Sequence, residues 1–388
     1  MQQVVFLNSH PIQYFSPLYK QMAESGLQLT VCYCSDESIR GKLDKGFGKE
    51  VKWNIPLVDG YHSVFLKNIS WKRSIHKGFF GLINPGIIHF LYKQPKSIVV
   101  IHGWAYCTHI AAIFFAKLFG HTVCLRTETP LNQEKKKQRG ITFLKHIYLR
   151  FLFLFIDRFL YIGQQNKLFY GSLGIKESKL VFTPYAVDNK RFRNIYETTS
   201  IQLAREILEL PRDKKIILYS GKFIFKKRPM DLIKAFHQSK EENTVLVMTG
   251  DGELREEMET FIQAQDLGKQ IILTGFINQA EIPLYYRAAD IFVMCSGLGE
   301  TWGLSVNEAM NFGLPVIVSD TCGCAYDLVR NNITGAVFET GNISQLTSLL
   351  HDYLHLSPER RAIAENSALA IMDEYSYDHI IASIQSLK

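Results

Sequence analysis

The stretch IFVMCSGLGETWGLSVNEAMNFGLPVIV, residues 291–318, contains the pattern that decides the fold. Its two ends, 291–294 and 316–318, are short apolar runs without polar alternation, as in parallel strands covered on both faces. Between them, residues 303–312 have the length and composition of a helix. A strand, a helix and a second strand in this order predict a βαβ unit of an α/β sheet.

The same alternation extends outward through the whole chain. In the second half, further strands are predicted at 216–219, 245–248 and 271–273, with helices at 229–238, 253–264 and 280–288. In the first half, strands are predicted at 4–7, 29–34, 98–101, 122–125, 159–161 and 180–182, with helices at 12–23, 105–119 and 141–155. Two such series predict two Rossmann-like, doubly wound domains, which we expect to face each other across a ligand-binding cleft.

Domain boundaries follow from the gap between the two series. We expect an N-terminal domain at 1–190 and a C-terminal domain at 191–374, with a last helix at about 375–388 packing back on the first domain. A chain of 388 residues, 47% hydrophobic and 21% charged, is long enough for two such cores.

Charge is distributed unevenly between the halves. Residues 1–190 contain 25 basic and 11 acidic residues, whereas the remainder contains 19 basic and 26 acidic ones. This asymmetry predicts different partners, with phosphate groups facing the first half. No secretory signal is recognised, and charges interrupt the apolar stretch 141–162, so a cytoplasmic protein is expected, peripheral to the inner face of the membrane at most. The seven scattered cysteines lack metal-ligand spacing, so no metal site is expected.

Glu300 and Glu308 flank the start of the helix predicted after 291–294. Because the first N–H groups of a helix lack partners within it and carry its positive dipole end, Gly303 and Leu304 are placed to bind phosphate. One carboxylate then faces the group that the phosphate carries, and the other, about one and a half turns into the helix, faces a ribose. This arrangement suits a sugar nucleotide. A capping Glu300 with a solvated Glu308 explains the pair equally well.

Basic and glycine-containing segments follow the other predicted strands of this half. Residues 221–229, GKFIFKKRP, bring cations that could neutralise a diphosphate, although a solvated charge cluster is the alternative. The glycines of 250–253 permit close backbone approach. Residues 274–277 are placed to contact a nucleobase edge, or they form an ordinary strand-to-helix turn.

These segments, in this order, resemble the nucleotide-binding domain of family-4 retaining glycosyltransferases, which have the GT-B fold. The resemblance covers roughly residues 180–335. The matching segments are the pair Glu300 and Glu308, residues 221–227 (Gly-Arg-Leu-x-x-x-Lys-Gly in the family), 250–254 (Gly-Asp-Gly-x-Leu), 275–276 (Gly-Phe) and 183–188 (Pro-Asn-Gly-Val-Asp).

The resemblance implies a retaining enzyme that moves a sugar from a UDP- or GDP-sugar to a glycan or lipid-linked acceptor in surface glycoconjugate synthesis. It implies no metal and no other cofactor. Lys222 and Lys227 would hold the diphosphate, Glu300 the donor sugar and Glu308 the ribose. The remaining donor-binding positions would be Gly303, Leu304, Ser305, Gly250, Gly275 and Phe276. Two departures from the family pattern are Lys222, where the family has arginine, and Arg228, where it has glycine.

Polar residues also end the predicted strands of the first half. His102 follows 98–101, where family members often place a histidine near the donor sugar; a histidine satisfied within a turn is the alternative. His10 follows the first strand, but the family's glycine loop is missing there. Arg126 and Glu128 follow 122–125 and either contact the acceptor or pair with each other. We take His102 as a catalytic candidate, and His10, Arg126 and Glu128 as acceptor-side candidates.

Two segments combine cations with aromatic residues, as an anionic membrane surface favours. The first is 67–80, with Lys72 and Arg73. The second is the basic run 135–139, with Lys135, Lys136, Lys137 and Arg139, followed by the aromatic-rich residues 141–155. The following helix, 141–155, has so little polar surface that we expect it in the core.

Two other functions use the same features. A non-hydrolysing sugar-nucleotide epimerase shares the fold but needs no acceptor. A nucleic-acid-binding protein could use the basic half, but no helix-turn-helix, zinc-finger or RRM signature is found, so no nucleic-acid partner is expected.

Overall fold

The computed structural model describes residues 3–40, 43–44, 49–50, 54–134 and 139–387. The chain divides into two compact units. The first unit comprises Met1–Lys42, Ile55–Pro184 and Tyr377–Lys388, and the second comprises Leu43–Asn54 and Tyr185–Ser376.

The first unit is built on a seven-stranded parallel sheet with the order β5-β2-β1-β6-β7-β8-β9. The strands in this part of the sequence are β1 (Gln3–Asn8), β2 (Gln28–Tyr33), β3 (Leu43–Asp44), β4 (Lys49–Glu50), β5 (His62–Phe65), β6 (Ile98–His102), β7 (Thr122–Arg126), β8 (Arg158–Tyr161) and β9 (Leu180–Phe182). The helices are α1 (Ser16–Glu24), α2 (Gly86–Lys93), α3 (Cys107–Leu118), α4 (Leu131–Glu134), α5 (Arg139–Leu152) and α6 (Gln164–Ser172). β3 and β4 pair with each other and belong to the second unit.

The second unit is built on a six-stranded parallel sheet with the order β12-β11-β10-β13-β14-β15. Its strands are β10 (Lys215–Ser220), β11 (Thr244–Thr249), β12 (Ile271–Gly275), β13 (Ile291–Met294), β14 (Val316–Ser319) and β15 (Gly335–Phe338). Its helices are α7 (Asn189–Thr198), α8 (Ile201–Ile207), α9 (Pro229–Ser239), α10 (Arg255–Ala264), α11 (Ile282–Ala288), α12 (Leu304–Met310), α13 (Ala325–Leu328), α14 (Ile343–Leu354) and α15 (Pro358–Glu374). The final helix, α16 (Tyr377–Gln385), lies in the first unit.

Both sheets confirm the predicted fold class, two Rossmann-like parallel-sheet domains. All six residues of β11 are buried, as is typical of a parallel strand covered on both faces. In the second sheet the chain order reverses between β10 and β13, so the loops after these two strands diverge. A crevice at the carboxyl ends of strands forms at such a point, which makes these loops the place to look for a ligand site.

The sequence missed two edge strands, β5 and β15. β5 is only partly buried, and His62 and Ser63 weaken its apolar pattern. β15 begins at Gly335, which lies against the backbone of Val316. A Cβ at position 335 would lie 1.9 Å from the Val316 carbonyl oxygen. Both segments form strands because they pair with a neighbouring strand, and local composition does not reveal that pairing.

The expectation that residues 141–155 form a core helix was wrong. Leu149 and Leu152 of α5 are buried, but a second set of apolar side chains on the helix and its 3-10 extension faces outward. This set consists of Phe143, Leu144, Ile147, Tyr148, Phe151 and Leu154, which are 44–72% exposed. At about 100° per residue, these positions share one face of the helix. We call this set the exposed α5 face.

Candidate functional site

The loops after β10 and β11 are joined through their backbones. The Gly221 amide donates to the Thr249 carbonyl (3.0 Å), and the Phe223 amide donates to the Asp251 carbonyl (2.9 Å). Gly250 has a φ of +147°, and a Cβ there would lie 1.9 Å from the Gly221 carbonyl oxygen. Only glycine therefore fits at this crossing. The Gly-Asp-Gly segment thus serves to bring two loops together at the carboxyl ends of the strands.

The basic loop after β10 is also joined to the loop after β13. The Gly297 amide donates to the Lys226 carbonyl (2.7 Å), and the Lys226 ammonium donates to the Gly299 carbonyl (2.8 Å). The Lys227 ammonium forms an ion pair with the Glu300 carboxylate. Residues 221–228 are therefore held in a defined conformation, which argues against the alternative of a freely solvated charge cluster.

The Lys227–Glu300 ion pair is largely buried. The side chains are 18% and 11% exposed, respectively. Burial alone would raise the pKa of Glu300, but the ammonium groups of Lys227 and Lys226 outweigh burial, so the pKa lies below its ordinary value. Glu300 is thus a carboxylate at neutral pH. A buried carboxylate and ammonium in contact form a polar centre that can bind hydroxyls through one partner and an anion through the other.

Helix α12 begins at Leu304, one residue later than predicted, and Gly303 is its N-cap residue. Gly303 has a φ of +109°, and a Cβ there would lie 2.7 Å from the Met294 sulfur, so glycine is needed for both conformation and space. Leu304 and Ser305, in the first turn, are half-buried. The segment from Glu300 to the helix is fixed by the Trp302 indole, which donates to the Asn307 side chain (2.8 Å).

Glu308 lies in α12 and is only 2% exposed. Its carboxylate accepts a hydrogen bond of 2.7 Å from the Tyr286 hydroxyl of α11. The alternative of a solvated helix glutamate is therefore wrong. Tyr286 was missed by sequence reasoning, because nothing local links it to a glutamate 22 residues later on another helix.

The remaining donor-site candidates lie on the same edge of the sheet. Lys222 is half-buried, and its carbonyl accepts from the Tyr219 hydroxyl (3.2 Å). The Gly250 amide donates to the Gly275 carbonyl (2.8 Å), and half-buried Phe276 follows. The loops after β10, β11, β12 and β13 thus form one connected group.

In the first unit, His102 and Arg126 end adjacent strands and are register partners. The Phe15 ring contacts both, with its centroid 4.8 Å from the His102 ring and 5.0 Å from the Arg126 guanidinium carbon. Burial, with Arg126 and His109, holds the pKa of His102 well below its ordinary value, so the ring is neutral at pH 7. Its Nε2 is buried and has no hydrogen-bond partner among the described residues.

The other first-unit candidates lie near the same strand ends. The His10 Nδ1 is 2.9 Å from the Ser9 hydroxyl, and burial, with a smaller effect of His76, lowers the pKa of His10 to about 4. Glu128 is half-buried and lies two residues after Arg126.

The basic aromatic segments both lie in the first unit. In 67–80, Lys72 and Arg73 are exposed. Exposed apolar residues of that segment are Ile69, Trp71, Phe79 and Phe80. Lys135, Lys136 and Lys137, together with the Arg139 side chain, lie outside the described residues. Arg150 is exposed next to the exposed α5 face. Among the described residues, no helix has both the length and the apolar character needed to cross a membrane.

Residues 200–369 match the family Glycosyl transferases group 1. The chain is 27% identical over 177 residues to an uncharacterized glycosyltransferase of Methanocaldococcus jannaschii, covering 45% of each chain. It is 28% identical over 145 residues to the alpha-monoglucosyldiacylglycerol synthase of Acholeplasma laidlawii, covering 37% of this chain and 36% of that protein. The matches span less than half the length of these curated relatives.

Among solved structures, that of HepE from Anabaena in complex with UDP and glucose aligns with a TM-score of 0.72 at 14% identity. The alignment covers 100% of this chain and 99% of HepE, which shows a shared fold. Residues 200–369, within the second unit, thus match the group 1 glycosyltransferases, as the motifs suggested, and the whole chain shares the GT-B fold of its structural neighbours.

Proposed function

We propose that this protein transfers a sugar from a nucleotide-sugar donor to an acceptor, and that its second unit binds the donor. One observation carries the proposal: Lys227 and Glu300 form a largely buried ion pair where the sheet order reverses, inside the segment that matches the family. A diphosphate bound there would interact with the Lys227 ammonium, and the sugar attached to it would meet the Glu300 carboxylate.

The other donor contacts follow from the connected loops. Lys222 adds a second cation for the diphosphate, and the backbone of Gly303, Leu304 and Ser305 adds amide groups at a helix start. Glu308 would accept hydrogen bonds from the ribose hydroxyls while Tyr286 fixes the orientation of its carboxylate. The segments at Gly250 and at Gly275 and Phe276 would line the nucleoside.

The transfer would proceed with retention of configuration and without a metal. The bond between the anomeric carbon and the diphosphate oxygen breaks, and the acceptor oxygen bonds to the same face of that carbon. The acceptor proton passes to the departing phosphate oxygen. Lys222 and Lys227 stabilise the charge that develops on the leaving group. This electrostatic stabilisation is the largest contribution to catalysis in the proposed reaction. In the first unit, neutral His102 would bind sugar hydroxyls through its buried Nε2.

The acceptor is proposed to be lipid-linked. Two groups of exposed aromatic and aliphatic side chains lie beside cations in the first unit, a combination that suits an anionic lipid surface. The similarity to the alpha-monoglucosyldiacylglycerol synthase of Acholeplasma laidlawii supports an acceptor with a lipid part. His10, Arg126 and Glu128, at the strand ends of this unit, are the candidate acceptor contacts.

A ligand screen tests the proposal. Unfolding temperatures are measured with UDP, GDP, ADP and CMP; UDP is the first choice because the structural neighbour HepE binds it. A diphosphate present at about 100 times its Kd should add about 2.7 kcal/mol of stability. Product analysis with the stabilising nucleotide's sugar, with and without acceptor, separates a transferase from an epimerase. No shift with any nucleotide would contradict the proposal.

A further inference from the structure

We propose that Glu241, His351 and His355 form a binding site for a divalent transition-metal ion such as Zn²⁺. The site lies in the second unit, apart from the proposed donor site, and does not rest on the proposed function. Sequence reasoning expected no metal because it searched the cysteines, whereas this group consists of two imidazoles and one carboxylate.

The two histidines are presented by one helix. His351 lies in the last turn of α14, and His355 is the C-cap residue one turn later. Residues four apart lie on the same face of a helix, so both rings point the same way, with centroids 4.7 Å apart. Glu241 comes from a different element, the connection between α9 and β11, and α9 packs against α14.

The three ligand atoms already have nearly the spacing that a metal ion requires. The His351 Nδ1 is 2.7 Å from one Glu241 oxygen, and the His355 Nε2 is 3.2 Å from the other. All three ligand atoms lie within 4.8 Å of one another. Around a tetrahedral zinc ion with bonds of about 2.0–2.1 Å, neighbouring ligand atoms lie about 3.3 Å apart. Small side-chain rotations would therefore admit the ion.

The surroundings favour a cation. Glu241 supplies a carboxylate that is only 13% exposed, and the carboxyl end of α14 contributes the negative end of the helix dipole. The histidine side chains are 65% and 57% exposed, so an ion reaches them directly from solvent. Imidazole suits zinc, copper and nickel, whereas magnesium and calcium prefer oxygen ligands. Three protein ligands leave a fourth position for water.

The location indicates a structural effect. Glu241 precedes β11, so it lies at the amino end of the strand, whereas the donor loops follow the carboxyl ends. A bound ion would join the end of α14 to the α9–β11 connection. We therefore expect the ion to raise stability without changing nucleotide binding.

The test uses untagged full-length protein and Zn²⁺ itself as the probe. Calorimetry should show one zinc ion bound, and Zn²⁺ should raise the unfolding temperature relative to EDTA. Loss of a residue beside a metal ligand costs about 10–100-fold in affinity, so His351→Ala and His355→Ala should weaken binding at least that much. Glu241→Gln should weaken it while keeping the shape of the side chain.

The matched control is His89→Ala, which removes an exposed helical histidine from α2 in the first unit and should bind Zn²⁺ like the original protein. Unfolding temperatures in EDTA show whether each variant is folded. The proposal is overturned if the original protein binds no Zn²⁺ in the calorimeter, or if the three site variants bind as the control does.

Discussion

The carboxyl edges of the two sheets are built differently. In the second unit, four loops are joined by backbone hydrogen bonds, an obligatory glycine and the Lys227–Glu300 pair. In the first unit, the corresponding edge contains side chains that contact one another, with the Phe15 ring against both His102 and Arg126. Under the proposed function, the joined loops of the second edge would hold the nucleotide donor, and the side chains of the first edge would contact the acceptor.

The largest expected effect is on Lys227. Replacing it by alanine removes a cation that the proposed function assigns to the diphosphate and should lower kcat/KM by about 10²–10³-fold, as loss of a preorganised charge contact does. Lys227→Arg should retain part of the activity. The control is Lys269→Ala, an exposed lysine at the amino end of β12. Equal turnover in the Lys227→Ala and Lys269→Ala variants would contradict the assigned role.

The next effect is on stability. Gly250→Ala forces a Cβ to within 1.9 Å of the Gly221 carbonyl oxygen and imposes a φ of +147° on alanine. We expect a loss of about 3 kcal/mol in the free energy of unfolding, measured with urea. Gly268→Ala is the matched control, because no atom lies within 4 Å of a Cβ built there. If both variants unfold at the same urea concentration, the two loops are not as tightly joined as the structure indicates.

In the first unit, we expect the exposed α5 face to bind an anionic membrane surface. The variant Leu144→Ser/Phe151→Ser removes two outward side chains that are 70% and 57% exposed. Each contributes up to about 1.5–3 kcal/mol when fully buried, so flotation with anionic vesicles should fall at least about tenfold. Binding of the original protein should also weaken at high salt. Ile363→Ser, on α15 of the second unit, is the control. Unchanged flotation of the α5 variant would contradict membrane binding by this face. If the variant instead changes the oligomeric state, the face binds a second copy of the chain.

A smaller effect is expected at Tyr286. Tyr286→Phe removes the hydroxyl that orients Glu308 and should cost about 1 kcal/mol, roughly fivefold, in nucleotide affinity. Tyr285→Phe, the neighbouring residue on α11, should have no effect. Titration calorimetry with the nucleotide found by the screen measures both. Identical affinities would mean that Glu308 does not contact the ribose.

Much of the fold follows from local sequence, because buried parallel strands are continuous apolar runs; the prediction at 291–294 coincides with β13. The helix predicted at 141–155 was assigned to the core because a helix that is apolar on nearly all sides is indistinguishable, by composition, from one with a second apolar surface that is exposed. In the site, Lys227 and Glu300 could be named because each follows a strand in a recognisable motif. Tyr286 could not be named, and the contact between Lys226 and Gly299 could not be predicted, since both depend on tertiary packing.

The central claim is that Lys227 and its loop bind a diphosphate. The most direct measurement is calorimetric titration of UDP and of uridine, which lacks the diphosphate, into the original protein and into Lys227→Ala. We expect Lys227→Ala to bind UDP at least about tenfold more weakly and uridine as before, because only the charged contact is lost. Equal UDP affinity in the two proteins, with uridine binding intact, would contradict the account.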